Sequence, residues 1–333
     1  MASAGTRAAV GEDGAAAQRP GPVLGLDIGG TKFAAGVVSA DGEVSGFVVA
    51  PAHAQRGPKD GLARLFELGR NALGDAGLPA DELAGIGIGC GGPLDWERGV
   101  LIAPLHLPGW ENVPVVALAG DAFGRPAVVD NDATAAAAAE HRFGAGRGTR
   151  NIVYLTVSTG VGGGVILEGR LYRGSTGNGG ELGHVTVDWH GRECRGCGRR
   201  GCLEAYASGT SIAERAREAG MDAGAATDVA AAARAGDPIA VQVWQETCEA
   251  LACGITSLAN LFEPELVVIG GGVSRVGEQL LAPVRELVRA QVIAPAGREL
   301  GIVQAALGDS VGVVGAAAVA FERLAPGVTV GHS

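Results

Sequence analysis

The chain has 333 residues, of which 47% are hydrophobic and only 4% aromatic, with 57 glycines. That length carries two modest globular cores, filled chiefly by alanine and aliphatic side chains. A formal net charge of -10 argues against sequence-independent nucleic-acid binding. Lysine occurs only at Lys32 and Lys59, and the absence of a Gly-Lys pair excludes a Walker-type P-loop. Residues 1–22, rich in Ala, Gly and Pro, read as a disordered tail and not as a signal peptide. No apolar run reaches membrane-spanning length, so the expectation is a cytoplasmic protein without a membrane partner.

Val23 to Asp27 is an apolar run ending on a carboxylate, which predicts a buried strand. Gly29 and Gly30 allow a tight turn with exposed amides, and Thr31 and Lys32 add a hydroxyl and an ammonium. Phe33–Ser39 returns as a strand, Asp41-Gly42 is a hairpin signal, and Glu43–Ala50 is a third strand. Such a corner suits phosphates and a magnesium ion. Helical spacing marks Gly61–Ala76, and Leu83–Gly89 is a further strand. Gly87 to Gly92 spells G-x-G-x-x-G, but Pro93 follows where a dinucleotide fingerprint needs a helix. Ala127–Val129 leads into Asp130-Asn131-Asp132 and the alanine-rich helix Ala133–His141. An acid there is either a helix cap or a general base that accepts a hydroxyl proton.

The first corner has a counterpart. Ile152–Val157 is a strand, Ser158-Thr159-Gly160-Val161-Gly162-Gly163-Gly164 a glycine-rich turn, and Val165–Leu167 the returning strand, closed by Glu168-Gly169. Two such corners suggest two halves facing each other across a cleft. A glycine-rich loop, Gly174 to Gly180, precedes Glu181-Leu182-Gly183-His184. Cys194, Cys197 and Cys202, with His184 nearby, match a Cys3His zinc site, the alternative being a disulfide. Cys90, Cys248 and Cys253 read as buried, inert thiols. Ala205–Gly220 predicts a helix, Asp222–Asp237 helical segments, and Pro238–Leu261 a long helix. Leu266–Ile269 is a buried strand ending in Gly270-Gly271-Gly272 before the helix Gly277–Ala290.

Asp27 to Lys32 (D-I-G-G-T-K) and Ser158 to Gly164 (S-T-G-V-G-G-G) resemble the two phosphate motifs of the actin-like, hexokinase-type ATPase fold. With Glu181 to His184 (E-L-G-H) and Gly201 to Glu204 (G-C-L-E), the chain resembles the ROK family of bacterial sugar kinases and repressors, over roughly Val23 to Phe321. The resemblance implies a two-domain α/β protein. Residues 23–129 and a terminal helix at 310–323 would form one domain, and residues 130–309, with a zinc loop at 184–204, the other. It implies ATP, Mg2+ and a structural Zn2+ as cofactors, and a homodimer or higher homo-oligomer. Asp132 matches the catalytic aspartate, while Gly92, His106, Asn131, Glu181, His184 and Glu204 match the sugar cleft. Asp27, Gly29, Gly30, Thr31, Lys32, Ser158, Thr159, Gly160, Val161, Gly162 and Gly163 match the phosphate corners. Gly271 and Gly272 match the adenosine motif.

Three departures stand out. Gly91-Gly92 replaces the usual Pro-Gly, His106 stands where asparagine is common, and Cys194 to Cys197 is one residue longer than usual. The last makes His190 a rival ligand. The expected activity is phosphorylation of the 6-hydroxyl of a hexose, glucose first, with an amino- or N-acylamino-hexose such as kanosamine or N-acetylmannosamine as alternative. A sugar-responsive repressor would need a DNA-binding domain, which a tail of about twenty residues cannot form. A non-catalytic sugar sensor is disfavoured by an intact Asp132 and both corners.

Overall fold

A computed structural model describes residues 19–293 and 299–324. The expected tail lies outside the described residues as far as position 18. In chain order the first half comprises β1 (Val23–Ile28), β2 (Lys32–Val38), β3 (Val44–Pro51), α1 (Gly57–Ala76), β4 (Gly85–Cys90), the short pair β5 (Leu94–Asp95) and β6 (Val100–Leu101), α2 (Val115–Phe123) and β7 (Ala127–Asn131). There follow α3 (Asp132–Phe143), β8 (Ile152–Val157), β9 (Val161–Leu167), β10 (Arg170–Tyr172), α4 (Glu204–Ala207), α5 (Gly209–Glu218), α6 (Ala226–Arg234) and α7 (Pro238–Phe262). β11 (Leu266–Gly270), α8 (Glu278–Gln291), β12 (Gly301–Gln304) and α9 (Val311–Arg323) complete the chain.

The strands form two five-stranded sheets, ordered β3-β2-β1-β4-β7 and β10-β9-β8-β11-β12. Each begins with two antiparallel pairings and continues with two parallel ones. The second sheet thus repeats the first, strand for strand. In each, a helix follows the last parallel strand, α3 after β7 and α9 after β12, and these two helices are exchanged. α3 lies against β8 and β9, whereas α9 covers β1, β4 and β7. Both are buried in the apolar layer between the sheets, which also holds Val23, Val128, Tyr154 and Val268. Ala133 to Glu140 are all buried, which is why the helix shows no amphipathic stripe.

Alanine and glycine make this layer thin. A Cβ at Gly25 would overlap the Val313 carbonyl, one at Gly87 the Ala316 carbonyl, and one at Gly315 would sit 2.8 Å from the Ala135 carbonyl. On the other side, Gly162 and Gly164 abut the side chains of Ala133 and Ala137. Helix backbone lies directly on sheet backbone, and no larger residue fits.

The structure corrects several expectations. The second glycine-rich turn is only Ser158 to Gly160, because Val161 to Gly164 already belong to β9, where glycine is needed to accept α3. The helix expected over Ala205–Gly220 is broken at Ser208, whose extended backbone and side chain cap α5 through the Ser211 amide. α1 begins at Gly57, with Pro58 in its first turn, and not at Gly61. β7 runs on through Asp130 and Asn131. Gly87–Gly92 lies in and just after β4 and is followed by β5, not by a helix, so the G-x-G-x-x-G spelling is incidental.

Gly87→Ala forces a methyl group into the Ala316 carbonyl and should lower stability by about 1–3 kcal/mol. Gly74→Ala, in α1 with nothing within 4 Å of the added carbon, should be neutral or stabilising by up to about 1 kcal/mol. Thermal unfolding of the two variants checks the contrast, and equal effects would contradict the close-packed layer.

Candidate active site

The chain reverses between β1 and β2 through Gly29, whose amide donates to the Lys32 carbonyl at 3.1 Å. Thr31 and Lys32 are exposed at this corner. Gly30 backs onto His106, its hypothetical Cβ lying 2.9 Å from the histidine Cβ, and Gly91 backs onto the imidazole. Asp27, one residue before the end of β1, lies beside Gly312 at the start of α9. A Cβ added at Gly89 would lie 3.8 Å from Asp27 Oδ1 and 3.9 Å from Asp132 Cα, so the two acids flank one point at the end of β4.

Asn131 is the cap of α3, its Oδ1 accepting the Ala133 and Thr134 amides at 3.0 and 3.2 Å. Its Nδ2 faces Gly92. Asp132 is thereby released from the capping role, although its Oδ1 also accepts the Ala133 amide at 2.8 Å. The residue is open to solvent at its outer edge yet crowded by protein around the carboxylate. That crowding raises its proton affinity, against the pull of the Ala133 amide and the nearby His106. Burial pushes Asp27 up to about 7, helped by the negative charge of Asp132 and opposed by Lys32. Burial, with both acids close by, likewise raises the Cys90 thiol, in keeping with the inert role expected of it.

Ala133, next to Asp132, abuts Gly162 of the second corner. The start of α3 therefore lies between the two hairpins: Asp132 near Asp27 of the first, Ala133 on Gly162 of β9 in the second. Beyond Ser158 and Thr159 lies a cavity of about 330 Å³. Gly272 lines it, as do Thr210 of α5, Arg217, and Thr227 of α6. These α5 and α6 residues are not legible in sequence; the alanine-rich stretch around them carries no spacing that marks a pocket. Gly271 adopts φ +85° against the Val157 carbonyl, where a side chain would clash.

His184, Cys194, Cys197 and Cys202 place one donor atom each within 4.8 Å of one another. Cys194 joins the group despite its longer spacing, and His190 does not. Cys197 and Cys202 sulfurs are 3.5 Å apart, and Cys194 Sγ is 3.7 Å from His184 Nδ1. No disulfide is formed, all six cysteines being unbridged. A tetrahedral zinc with Zn–S bonds of about 2.3 Å separates its sulfurs by about 3.8 Å, which these side chains can match. His184 turns Nδ1 to the thiols and Nε2 toward Glu181, 4.0 Å away. Glu181 itself is largely exposed. Glu204 spans two parts of the site: Oε2 accepts the Val161 amide at 2.9 Å, and Oε1 accepts the Cys194 thiol at 3.4 Å.

A family model described as ROK family matches residues 23–323. A glucokinase of Thermotoga maritima is 37% identical over 316 residues, or 91% of this chain and 98% of that protein. A ROK hexokinase from Thermus thermophilus superposes with a TM-score of 0.79 at 38% identity, covering 91% of this chain and 99% of its own. A ROK family glucokinase from Streptomyces griseus, solved with glucose and AMPPNP, gives 0.77 at 33% identity, covering 91% and 100%.

The raised Asp27 carboxyl has a measurable sign. Its proton stabilises the folded state fully below its ordinary pKa of 3.8, and that contribution is lost as pH rises through about 7. Asp27→Asn fixes the neutral form. In nucleotide- and magnesium-free buffer the substitution should therefore raise Tm more near pH 8 than near pH 5. An equal shift at both would contradict the crowding of Asp27.

Proposed function

The chain belongs to the ROK family, and from that premise we propose an ATP-dependent glucokinase that transfers the γ-phosphoryl group to the 6-hydroxyl of glucose. One observation carries the reading: the start of α3 holds Asp132 beside Asp27 of the first hairpin while Ala133 rests on β9 of the second. In the proposed reaction the sugar oxygen forms its bond to the γ-phosphorus as the bond to the β-phosphate bridging oxygen breaks. ADP leaves, and Asp132 accepts the hydroxyl proton. A carboxylate with raised proton affinity suits that task. The amides and side chains of Gly29 to Lys32 and of Ser158 to Gly160 would hold the phosphates; Val161, Gly162 and Gly163, expected there too, are engaged elsewhere, the Val161 amide by Glu204 and the two glycines by pairing in β9. The cavity past Thr159 would take the adenosine, with Gly271 and Gly272 in its wall.

Two mutually repelling acids leave an excess of negative charge that a divalent cation would offset, which favours Asp27 as the magnesium holder. Bound with the nucleotide, magnesium would neutralise charge on the transferring phosphoryl group. For the sugar, Asn131 Nδ2, His106 and Gly92 would line the approach to Asp132, and Glu181, beside His184, would reach it from the glycine-rich loop. His184 can serve both partners, Nδ1 toward zinc and Nε2 toward a hydroxyl. Glu204 would couple them further, because it binds the Val161 amide from the edge of the cysteine cluster. The two sheets, each with the helix that covers it, are the natural domains. Closure between them would exclude water from the phosphoryl transfer. We place the enzyme in the cytoplasm as a homo-oligomer, with sugar and ATP as its partners; no helix among the described residues is long and apolar enough to cross a membrane.

Asp132→Asn should lower kcat by about 10²–10⁴ with little change in the affinity for glucose or ATP. A coupled assay checks this, and wild-type turnover would reduce Asp132 to a helix terminus. Elemental analysis should find about one zinc per chain. Cys197→Ser or Cys202→Ser should release it and weaken glucose binding through Glu204. A fully active protein without metal would refute the zinc assignment.

A further inference from the structure

Two guanidinium groups converge on Trp96, which follows β5: Arg173 lies 5.1 Å and Arg323 4.7 Å from the ring centre. Arg173 Nε also donates to Asp130 Oδ2 at 2.8 Å, and Nη1 to Glu322 at 3.2 Å. The Arg173 and Asp130 side chains are 12% and 1% exposed. Burial raises the Asp130 carboxyl, and the Arg173 charge opposes this. Arg323 donates to the Val129 and Trp96 carbonyls at 3.1 and 3.2 Å. Four segments therefore meet at one ion pair: the end of β7, the turn at Trp96, the last turn of α9, and the loop that begins at Arg173.

That loop carries Glu181. Its course is set by the Gly179 amide, which donates to the Arg173 carbonyl at 2.8 Å, and by Gly177, whose φ of +80° lays the backbone on the Trp96 indole. Gly180, at φ +100°, then sits against Gly163 of the second corner. At the other end of the ion pair, Asp130 Oδ1 accepts the Asn131 amide at 2.9 Å, within the turn that presents Asp132. Without anchorage, a glycine-rich loop would hold a carboxylate in no fixed direction.

We infer that Arg173, braced by Trp96, is a positioning residue for the sugar: it fastens the Glu181 loop from the second sheet to the Asp130–Asp132 turn of the first, so both carboxylates meet the same hexose. The inference rests on the glucokinase reading and deepens it. The Arg173 guanidinium is engaged by Asp130, Glu322 and Trp96, so its effect on the sugar passes through Glu181.

The test uses the purified full chain with glucose and ATP. Arg173→Met alone would leave Asp130 buried and unpaired, so it is combined with Asp130→Asn, which keeps the shape and removes the charge. Gly177→Ala is the independent variant, pushing the loop off Trp96 with no change of charge. Both should raise the KM for glucose by about 10–100-fold, while kcat and the KM for ATP stay within about threefold. Arg173→Lys, which keeps the charge and loses the planar fork, should fall between these variants and wild type. A purely structural role would lower Tm and yield with both KM values unchanged, and that result overturns the inference, as does a loss of kcat at unchanged KM. A wild-type protein that phosphorylates no hexose defeats the glucokinase reading and the latch with it. An active wild type whose variants keep its sugar KM defeats the latch alone.

Discussion

The architecture depends on how closely two helices approach two sheets. α3 and α9 sit between the sheets at backbone contact, with Gly25 and Gly87 under α9, Gly162 and Gly164 under α3, and Gly315 between the helices. Side chains of ordinary size would hold these layers several ångströms further apart. The contact gains dispersion and apolar burial from small groups only, so its strength lies in density, not in the size of any residue. Because each helix covers the sheet that it does not follow, neither half can shed its partner without baring its own face.

The same packing locates the chemistry. α3 starts at the end of β7, in the first sheet, and lies on the second, so its first turn necessarily sits at the seam. Asn131 accepts the Ala133 and Thr134 amides of that turn, and Asp132 shares only the first of them, through Oδ1. At the far end of α3, the buried Glu140 accepts the amides of Ala145, Ala306 and Leu307. Those last two residues lead into α9. One carboxylate thus ties the end of one exchanged helix to the beginning of the other, and three amide bonds offset the cost of burying it.

Much of this was legible in the amino acids. The strand-turn-strand corners at Asp27 and Ser158 follow from apolar runs broken by glycine, and the cysteine spacing marked its cluster in advance. What escaped was of two kinds. β10, β12 and the short pair at Leu94 and Val100 are three to four residues long or less, too short for a periodic signal, and they exist because neighbouring strands need partners. Glycine most often signals a turn, but Gly162 and Gly164 of β9 are strand residues that make room for the alanine side chains of α3. Distance in sequence hid the rest. Nothing near Arg173 announces Asp130 or Trp96, and the Thr210 and Thr227 walls of the cavity lie in alanine-rich stretches whose pattern is that of any surface helix.

The exchange of α3 and α9 also imposes an order on synthesis. The first sheet is complete as a set of strands once β7 has left the ribosome, yet the face that α9 will cover stays bare until residues 311–323 follow, nearly two hundred residues later. The second sheet has no such wait, since α3 precedes its strands. The half translated last can therefore close first, and the half translated first must remain provisional, its glycine-lined face open to water or to a chaperone until the end of the chain arrives.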